Sequence, residues 1–395
     1  MRLRRIDPAW LVVAAGVAAA LHVGKLPAAL PVLRDALGVT LIEAGFLLSL
    51  VQFAGMFLGL VVGLAADGLG LKRTMTGGLV TLAAASAAGA FAQGPAMLMF
   101  LRTLEGVGVL LAAMPAPSLI RRLVDPGRVN AALGVWGAYM PLGTAIALLA
   151  TAPVMAVIGW RGWWMLLAAV AASMAAALWV ALPADAQAER AAPRVWMERL
   201  SQTLRSTGSW LVSLSFCVYS AQWLAVIGFL PTVYAQAGFE PAKAGAATAL
   251  AALVNMIGNI AAGRLLQRGA SAPALLATGS CAMALGALAA FSEHDPFTRY
   301  AGVIAFSMLG GLIPGTLFSL AVRLAPGEST VSTTVGWMQQ WSSIGQFAGP
   351  PIVAWAAARA GGWQWSGAVT GSFACAGLLL SGCIALLLRS RAARI

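Results

Sequence analysis

The apolar residues of this 395-residue chain gather into twelve blocks of bilayer-crossing length, the first opening at Trp10 and the last closing near Leu388. A hydrocarbon core of about 30 Å takes roughly 20 mostly apolar residues in a helix. Charged residues make up only 10% of the chain, against roughly a quarter in a soluble domain. A water-soluble helical protein would need a polar stripe on each helix, and stretches such as 163–182 and 367–388 have none. The chain therefore reads as an all-α membrane protein.

The spans are expected at 9–32, 41–65, 74–92, 95–118, 129–153, 162–182, 209–232, 243–265, 272–291, 298–322, 331–358 and 364–388. Turn signals separate them, among them Gln93-Gly-Pro95, Gly159-Trp-Arg161 and Ala325-Pro-Gly327. The first block carries His22 and Lys25 and shows no small-residue cleavage site, so it is expected to stay as a membrane helix. The longest polar stretch, 183–208, divides the chain into an N-terminal six-helix bundle (1–182) and a C-terminal one (209–395), with 183–208 as the linker.

Basic residues set the orientation. With the N-terminus inside, the inner segments hold eighteen lysines and arginines from Arg2 to Arg394, and the outer ones five: Arg34, Arg161, Lys243, Arg299 and Arg359. Such a bias in short loops places both termini and 183–208 in the cytoplasm of a bacterial inner membrane. The net charge of +12 is thus a topology signal that implies anionic headgroups, with no nucleic-acid partner. Cys217, Cys281, Cys375 and Cys383 lie inside apolar blocks without paired spacing, so no disulfide framework and no metal site is expected. No glycine-rich phosphate loop precedes a Lys-Ser/Thr pair, so neither ATP use nor another cofactor is expected, and the chain does not read as an enzyme.

Three echoes in the same order relate the halves. Gly59-x-x-x-Gly63-x-x-x-Asp67 is matched by Asn259-x-x-x-Gly263-x-x-x-Gln267. Gly134-x-x-Gly137-x-x-x-Pro141-x-Gly143 is matched by Gly345-x-x-x-Gly349-Pro-Pro, and Gly159-Trp-Arg-Gly-Trp163 by Gly361-Gly-Trp-Gln-Trp365. Repeated halves are a construction of many secondary transporters.

On these residues the chain resembles the major facilitator superfamily over essentially its whole length. Gly63-Leu-Ala-Ala-Asp67-Gly-Leu-Gly70-Leu-Lys72-Arg73 is similar to the family signature between the second and third helices, with Gly68 and Leu71 where a basic residue is common. Arg102-Thr-Leu-Glu105-Gly106 resembles the fourth-helix motif, and Gly137-Ala-Tyr-Met-Pro141-Leu-Gly143 a degenerate form of the fifth-helix motif of antiporters. Gly24-Lys25-Leu-Pro27-Ala-Ala-Leu-Pro31 resembles the cyanate and nitroimidazole permease-like group. The resemblance implies alternating access by a monomer, by symport or antiport, with a small solute bound between two six-helix bundles. It also implies a conformational latch at Gly63, Asp67, Gly70, Lys72 and Arg73.

The candidate substrate-binding residues are those that hydrocarbon tolerates worst. Lys25 stands in a helix of Ala, Val and Leu, with His22 three residues earlier on the same face. A lone ammonium at the bilayer centre costs about 2.5–3.5 kcal/mol even on the lenient insertion scale, so Lys25 must either face the protein interior or snorkel to the headgroups. Arg102 and Glu105 have the spacing of a pair on one face. Arg102 is expected either to pack against Glu105 or to take a substrate anion, and Glu105 to be the proton-coupling site. The second half contributes neutral groups: Tyr219, Gln222 and Trp223 in the seventh span, Asn255 and Asn259 in the eighth, and Gln339 and Gln340 in the eleventh. Asn259 is expected to serve helix packing.

The positive interior of the first half favours a small organic or inorganic anion moved with protons. The alternatives are efflux of a drug-like or hydrophobic compound, and a membrane sensor that does not transport. The orientation is testable directly. In intact cells, a cysteine placed by Ala188→Cys is expected to resist a membrane-impermeant thiol reagent and to react after permeabilisation; labelling from outside would invert the topology.

Overall fold

A computed structural model describes residues 8–59, 70–125, 132, 136, 139–185, 193–292 and 295–392; Gly63, Asp67 and Ala188 lie outside them. The first half contains α1 (Pro8–Leu37), α2 (Leu41–Gly59), α3 (Leu71–Gly89) and α4 (Pro95–Leu123). It closes with one helical run, Tyr139–Ala181, broken where Gly159 takes φ +70°. The arms on either side of that break are α5 (139–158) and α6 (160–181). A short helix, α7 (Pro193–Arg205), follows. The second half contains α8 (Thr207–Gln236), α9 (Pro241–Gln267), α10 (Ala272–Ala290), α11 (Pro296–Leu324), α12 (Val331–Ala360) and α13 (Ser366–Ala392). With α5 and α6 counted apart and α7 set aside, these make the twelve membrane helices of the expected fold.

Two expectations change in detail. The turn expected at Gly159–Arg161 is a kink inside continuous helix: Trp160 and Arg161 are helical, and only Gly159 leaves helical geometry. The polar stretch 183–208 contains the helix α7. Its exposed Met197 and Leu204 share the helix with Arg199 and Arg205, as in helices that lie along a membrane surface.

Two helix starts show clear side-chain capping. Thr40 and Glu43 form a reciprocal box at α2, with Thr40 N–H donating to Glu43 Oε2 at 2.8 Å and Glu43 N–H to Thr40 Oγ1 at 3.2 Å. Asp295 accepts from the N–H groups of Phe297 and Thr298, both at 3.0 Å, at the start of α11.

The described chain falls into two compact units. One comprises Met1–Val39, Val61–Arg190 and Gly238–Ala249, and the other Thr40–Leu60, Ala191–Ala237 and Leu250–Ile395. Thus α2 packs within the unit of the second half, against α12. Gln52 Nε2 donates to Gln346 Oε1 at 3.1 Å, and Phe347 lies 5.7 Å from Phe53.

Small residues set the helix crossings in both units. Gly16, Ala20 and Gly24 recur every fourth residue along α1, so they form one face. A Cβ on Gly24 would lie 2.6 Å from the carbonyl oxygen of Thr144 on α5, and one on Gly143 would strike Val17 O of α1 at 2.6 Å. In the second unit Gly345 and Gly349 of α12 lie against the carbonyls of Cys217 and Ala221 on α8. Between lipid-facing helices no hydrophobic force favours association, so backbone approach and dispersion supply it, and only small residues allow that approach.

Another close crossing in the first unit joins α3 to α4. A Cβ on Gly108 would sit 2.8 Å from both Gly78 O and Leu82 N. Gly108→Val is therefore expected to overpack the crossing, at a cost of about 1–3 kcal/mol, and to lower the melting temperature of the purified protein. An unchanged melting curve would show that the two helices separate without cost.

Candidate functional site

The four charged or titratable candidates of the first half converge inside its unit. Lys25 and His22 come from α1, Arg102 and Glu105 from α4. None is more than 3% exposed. The ammonium of Lys25 contacts Glu105 Oε1 directly and donates to Ser86 Oγ of α3 at 3.0 Å. Ser86 Oγ in turn donates to the carbonyl of Trp164 on α6 at 3.0 Å, and the Trp164 ring lies 4.4 Å from the Lys25 nitrogen. A cation over an indole face is held by the ring quadrupole, most strongly where water is excluded. Lys25 therefore does not snorkel; it is fully enclosed.

Arg102 holds the other carboxylate oxygen, its Nη1 lying 2.7 Å from Glu105 Oε2. The same nitrogen donates to the carbonyl of His22 at 2.6 Å, and Nη2 reaches that of Val23 at 3.5 Å. Local sequence explains the second contact. Pro27 has no N–H, so the carbonyl of Val23, four residues earlier, loses its helical donor, and Arg102 covers it. His22 Nδ1 lies 3.4 Å from Lys25 Nζ and 3.7 Å from Glu105 Oε1, while its Nε2 has no hydrogen-bond partner among the described residues. Two fixed cations thus face one carboxylate, leaving a formal excess of one positive charge with His22 neutral.

The second half builds a neutral network in its own unit. Tyr219 of α8 and Asn255 of α9 bond through Asn255 Nδ2 to Tyr219 Oη at 3.1 Å, and the same amide donates to the carbonyl of Ser307 on α11 at 2.8 Å. Trp223 Nε1 donates to Ser307 Oγ at 3.3 Å. Asn259 bonds within its own helix, to Asn255 Oδ1 at 3.1 Å, while Gly315 of α11 packs against its backbone. Gln222 borders a cavity of about 10 Å³ with Ser215, Tyr219 and Ser280, and its Oε1 has no partner among the described residues. That is room for about one water. Gln339 and Gln340 of α12 are half-buried, and no hydrogen bond among the described residues joins them to the Tyr219–Asn255 network.

At the start of α3, Gly70, Lys72 and Arg73 meet a residue that sequence reading missed. Asp185, four residues beyond α6, accepts from the N–H groups of Lys72 at 2.8 Å and Arg73 at 3.1 Å. Lys72 Nζ donates back to the carbonyl of Leu182 at 2.7 Å. A carboxylate caps the positive end of one helix while an ammonium caps the negative end of the other, which suits both dipoles. Gly70 has φ +92°, and any side chain there would collide with Asp185. Ser86 and Trp164 were missed as well. The one available signal for Ser86 was a lone hydroxyl in the run Ala83-Ala-Ala-Ser86-Ala-Ala.

Comparisons with known proteins fit this architecture. A family model described as Major Facilitator Superfamily matches residues 12–350. The puromycin resistance protein pur8 of Streptomyces alboniger is 32% identical over 164 residues, which is 41% of this chain and 32% of that protein. The aligned stretch thus spans about a third of the length of this relative. Crystal structures of a bacterial homolog to the human lysosomal transporter Spinster share the fold. The inward-facing, occupied form gives a TM-score of 0.74 at 15% identity, covering 97% of this chain and 94% of that one. The unoccupied form gives 0.73 at 13% identity, covering 96% and 97%.

The charge balance predicts a stability effect. Glu105→Gln leaves two enclosed cations without their anion, and breaking a buried pair from one side costs about 3–5 kcal/mol. Its melting temperature is expected to fall steeply, and adding Lys25→Met to it is expected to recover part of the loss. Parent-like melting of Glu105→Gln alone would mean that the carboxylate does not balance these cations.

Proposed function

This chain belongs to the Major Facilitator Superfamily of membrane transporters, and we propose that its solute is a drug-like, largely hydrophobic organic compound exported in exchange for protons by alternating access. The observation that carries this reading is the 32% identity to a puromycin resistance protein. The enclosed cluster supports it. An anion site at Lys25 would need a free ammonium, and this one already faces Glu105, Ser86 and the Trp164 ring. The second half offers amphipathic groups suited to such a solute: Tyr219, Gln222, Trp223, Asn255, Gln339 and Gln340, and a ring cluster of Trp210, Trp337 and Trp341.

Glu105 is the proposed proton-coupling site. A proton on its carboxylate removes the one anion that Lys25 and Arg102 share, so both cations lose their partner in a low-dielectric interior. A site whose balance depends on one proton has two discrete arrangements, and a carrier can use them as two access states. His22, whose Nε2 has no hydrogen-bond partner among the described residues, stands where a proton could be received or passed on. Each charge moved down a membrane potential of 100 mV yields about 2.3 kcal/mol, enough to drive export against a gradient. The reciprocal caps at Gly70, Lys72, Arg73 and Asp185 are proposed to hold one access state. The protein is proposed to act as a monomer in a bacterial inner membrane, with its termini and residues 183–208 cytoplasmic.

A second reading, carriage of a small anion with protons, is supported by the cluster's excess positive charge and by the permease-like stretch from Gly24 to Pro31. Proteoliposomes with a trapped pH dye separate the two. Puromycin and lipophilic cations are expected to discharge an imposed proton gradient, and carboxylates and cyanate to leave it intact. The reverse pattern would replace the efflux reading with the anion one.

A further inference from the structure

The second-half unit carries a groove that the transport reading does not use. It lies where α7 meets the start of α8 and the end of α13, has a volume of about 550 Å³, and is lined by Arg205, Ser206, Thr207, Leu387, Ser390 and Arg391, among others. This volume is that of a small-ligand site. We propose that it binds the phosphate headgroup of an anionic phospholipid of the phosphatidylglycerol type.

Charge complementarity is the first argument. Among the described residues, two guanidiniums line the groove and no carboxylate does; Glu198 accepts from the lining Gln202 at 3.5 Å. Arg391 is steadied by donating from Nη1 to the carbonyl of Arg323, at the end of α11, at 3.4 Å. Arginine presents planar, forked donors that match a phosphate. Ser390 and Thr207 add hydroxyls.

Depth is the second argument, and it selects a lipid over a free phosphate. Along α13 the exposed surface is apolar through Leu386, 67% exposed, and turns basic at Arg389 and Arg391. Leu387 and Arg391, one turn apart or about 6 Å along the axis, both line the groove, so it straddles the boundary between apolar and charged surface. Val322 of α11 and Leu204 of α7, next to Arg323 and Arg205, are exposed as well. A ligand that fills the groove would meet guanidiniums at one end and side chains suited to acyl chains at the other. Arg205 belongs to α7, so an occupied site would also fasten the linker helix to the ends of α8 and α13.

The test uses the full-length protein in mixed micelles with phosphatidylcholine as background, titrated with phosphatidylglycerol, and counts retained lipid by native mass spectrometry. The parent is expected to retain phosphatidylglycerol. The double variant Arg205→Ala with Arg391→Ala is expected to bind it roughly thirtyfold more weakly, the loss of two basic residues at an anionic headgroup, with its melting temperature in phosphatidylcholine alone unchanged. Arg205→Lys with Arg391→Lys, which keeps the charge but not the forked donors, is expected to bind more weakly than the parent and more tightly than the alanine variant, and parent-like binding by a folded lysine variant would overturn the role given to the guanidiniums. Undiminished retention by the alanine variant would overturn the site. Displacement of the lipid by inorganic phosphate or glycerophosphate at equal concentration would overturn its assignment to a lipid.

Discussion

One carboxylate, that of Glu105, holds the interior chemistry of the first-half unit together, because it stands between two cations that hydrocarbon would not tolerate alone. Lys25 takes one of its oxygens and Arg102 the other. Desolvation penalises all three charges, so the arrangement depends on further polar partners around them. Ser86 and the Trp164 ring receive the ammonium, and the carbonyls of His22 and Val23 receive the guanidinium. Pro27 shapes this site through what it lacks, since its missing N–H exposes a backbone carbonyl that an apolar neighbour could not satisfy. Helices α1, α3, α4 and α6 are thereby bound to one register.

Two kinds of contact surround that centre, and they differ in how readily they change. The crossings at Gly24, Gly78 and Gly108 are backbone against backbone, with no slack for a methyl group. Such contacts make rigid pairs, because separating them forfeits dispersion with nothing gained from lipid. The junction of α3 with the end of α6 is different. Asp185 and Lys72 exchange hydrogen bonds with helix termini that water could satisfy as well. Contacts of that type can open at small cost, which is the property that the proposed access-state latch requires.

The halves repeat in sequence yet divide the chemistry unequally. The first concentrates its charge in one enclosed cluster. The second spreads neutral donors and acceptors over α8, α9 and α11, joined at Ser307 and supported by glycine contacts between α9 and α11. A neutral network imposes little electrostatic selection, and amides and indoles accept many orientations of an amphipathic solute. In the proposed reading, the charged cluster handles the proton and the neutral network the solute, so the two tasks fall to different halves.

Much of this was legible in the chain itself. Span length, the basic-residue bias and the repeated glycine patterns specify the helices and their number, because a bilayer leaves an isolated segment few alternatives to an apolar helix. The pairs His22 with Lys25 and Arg102 with Glu105 were also visible, since three-residue spacing on a helix is local geometry. That the two pairs meet was not, for Lys25 and Glu105 lie 80 residues apart, and nothing in helical periodicity relates one helix to another. Ser86, Trp164 and Asp185 were hidden for the same reason, each being an ordinary residue until a neighbouring helix supplies its partner. The placement of α2 beside α12 likewise follows from packing of Gly45, Gln52 and Phe53 against residues some 300 positions later. Sequence determined which segments cross the membrane and which residues a membrane makes costly; only the tertiary structure decided how those costs are met, because compensation between charges, carbonyls and close-packed glycines exists only between helices.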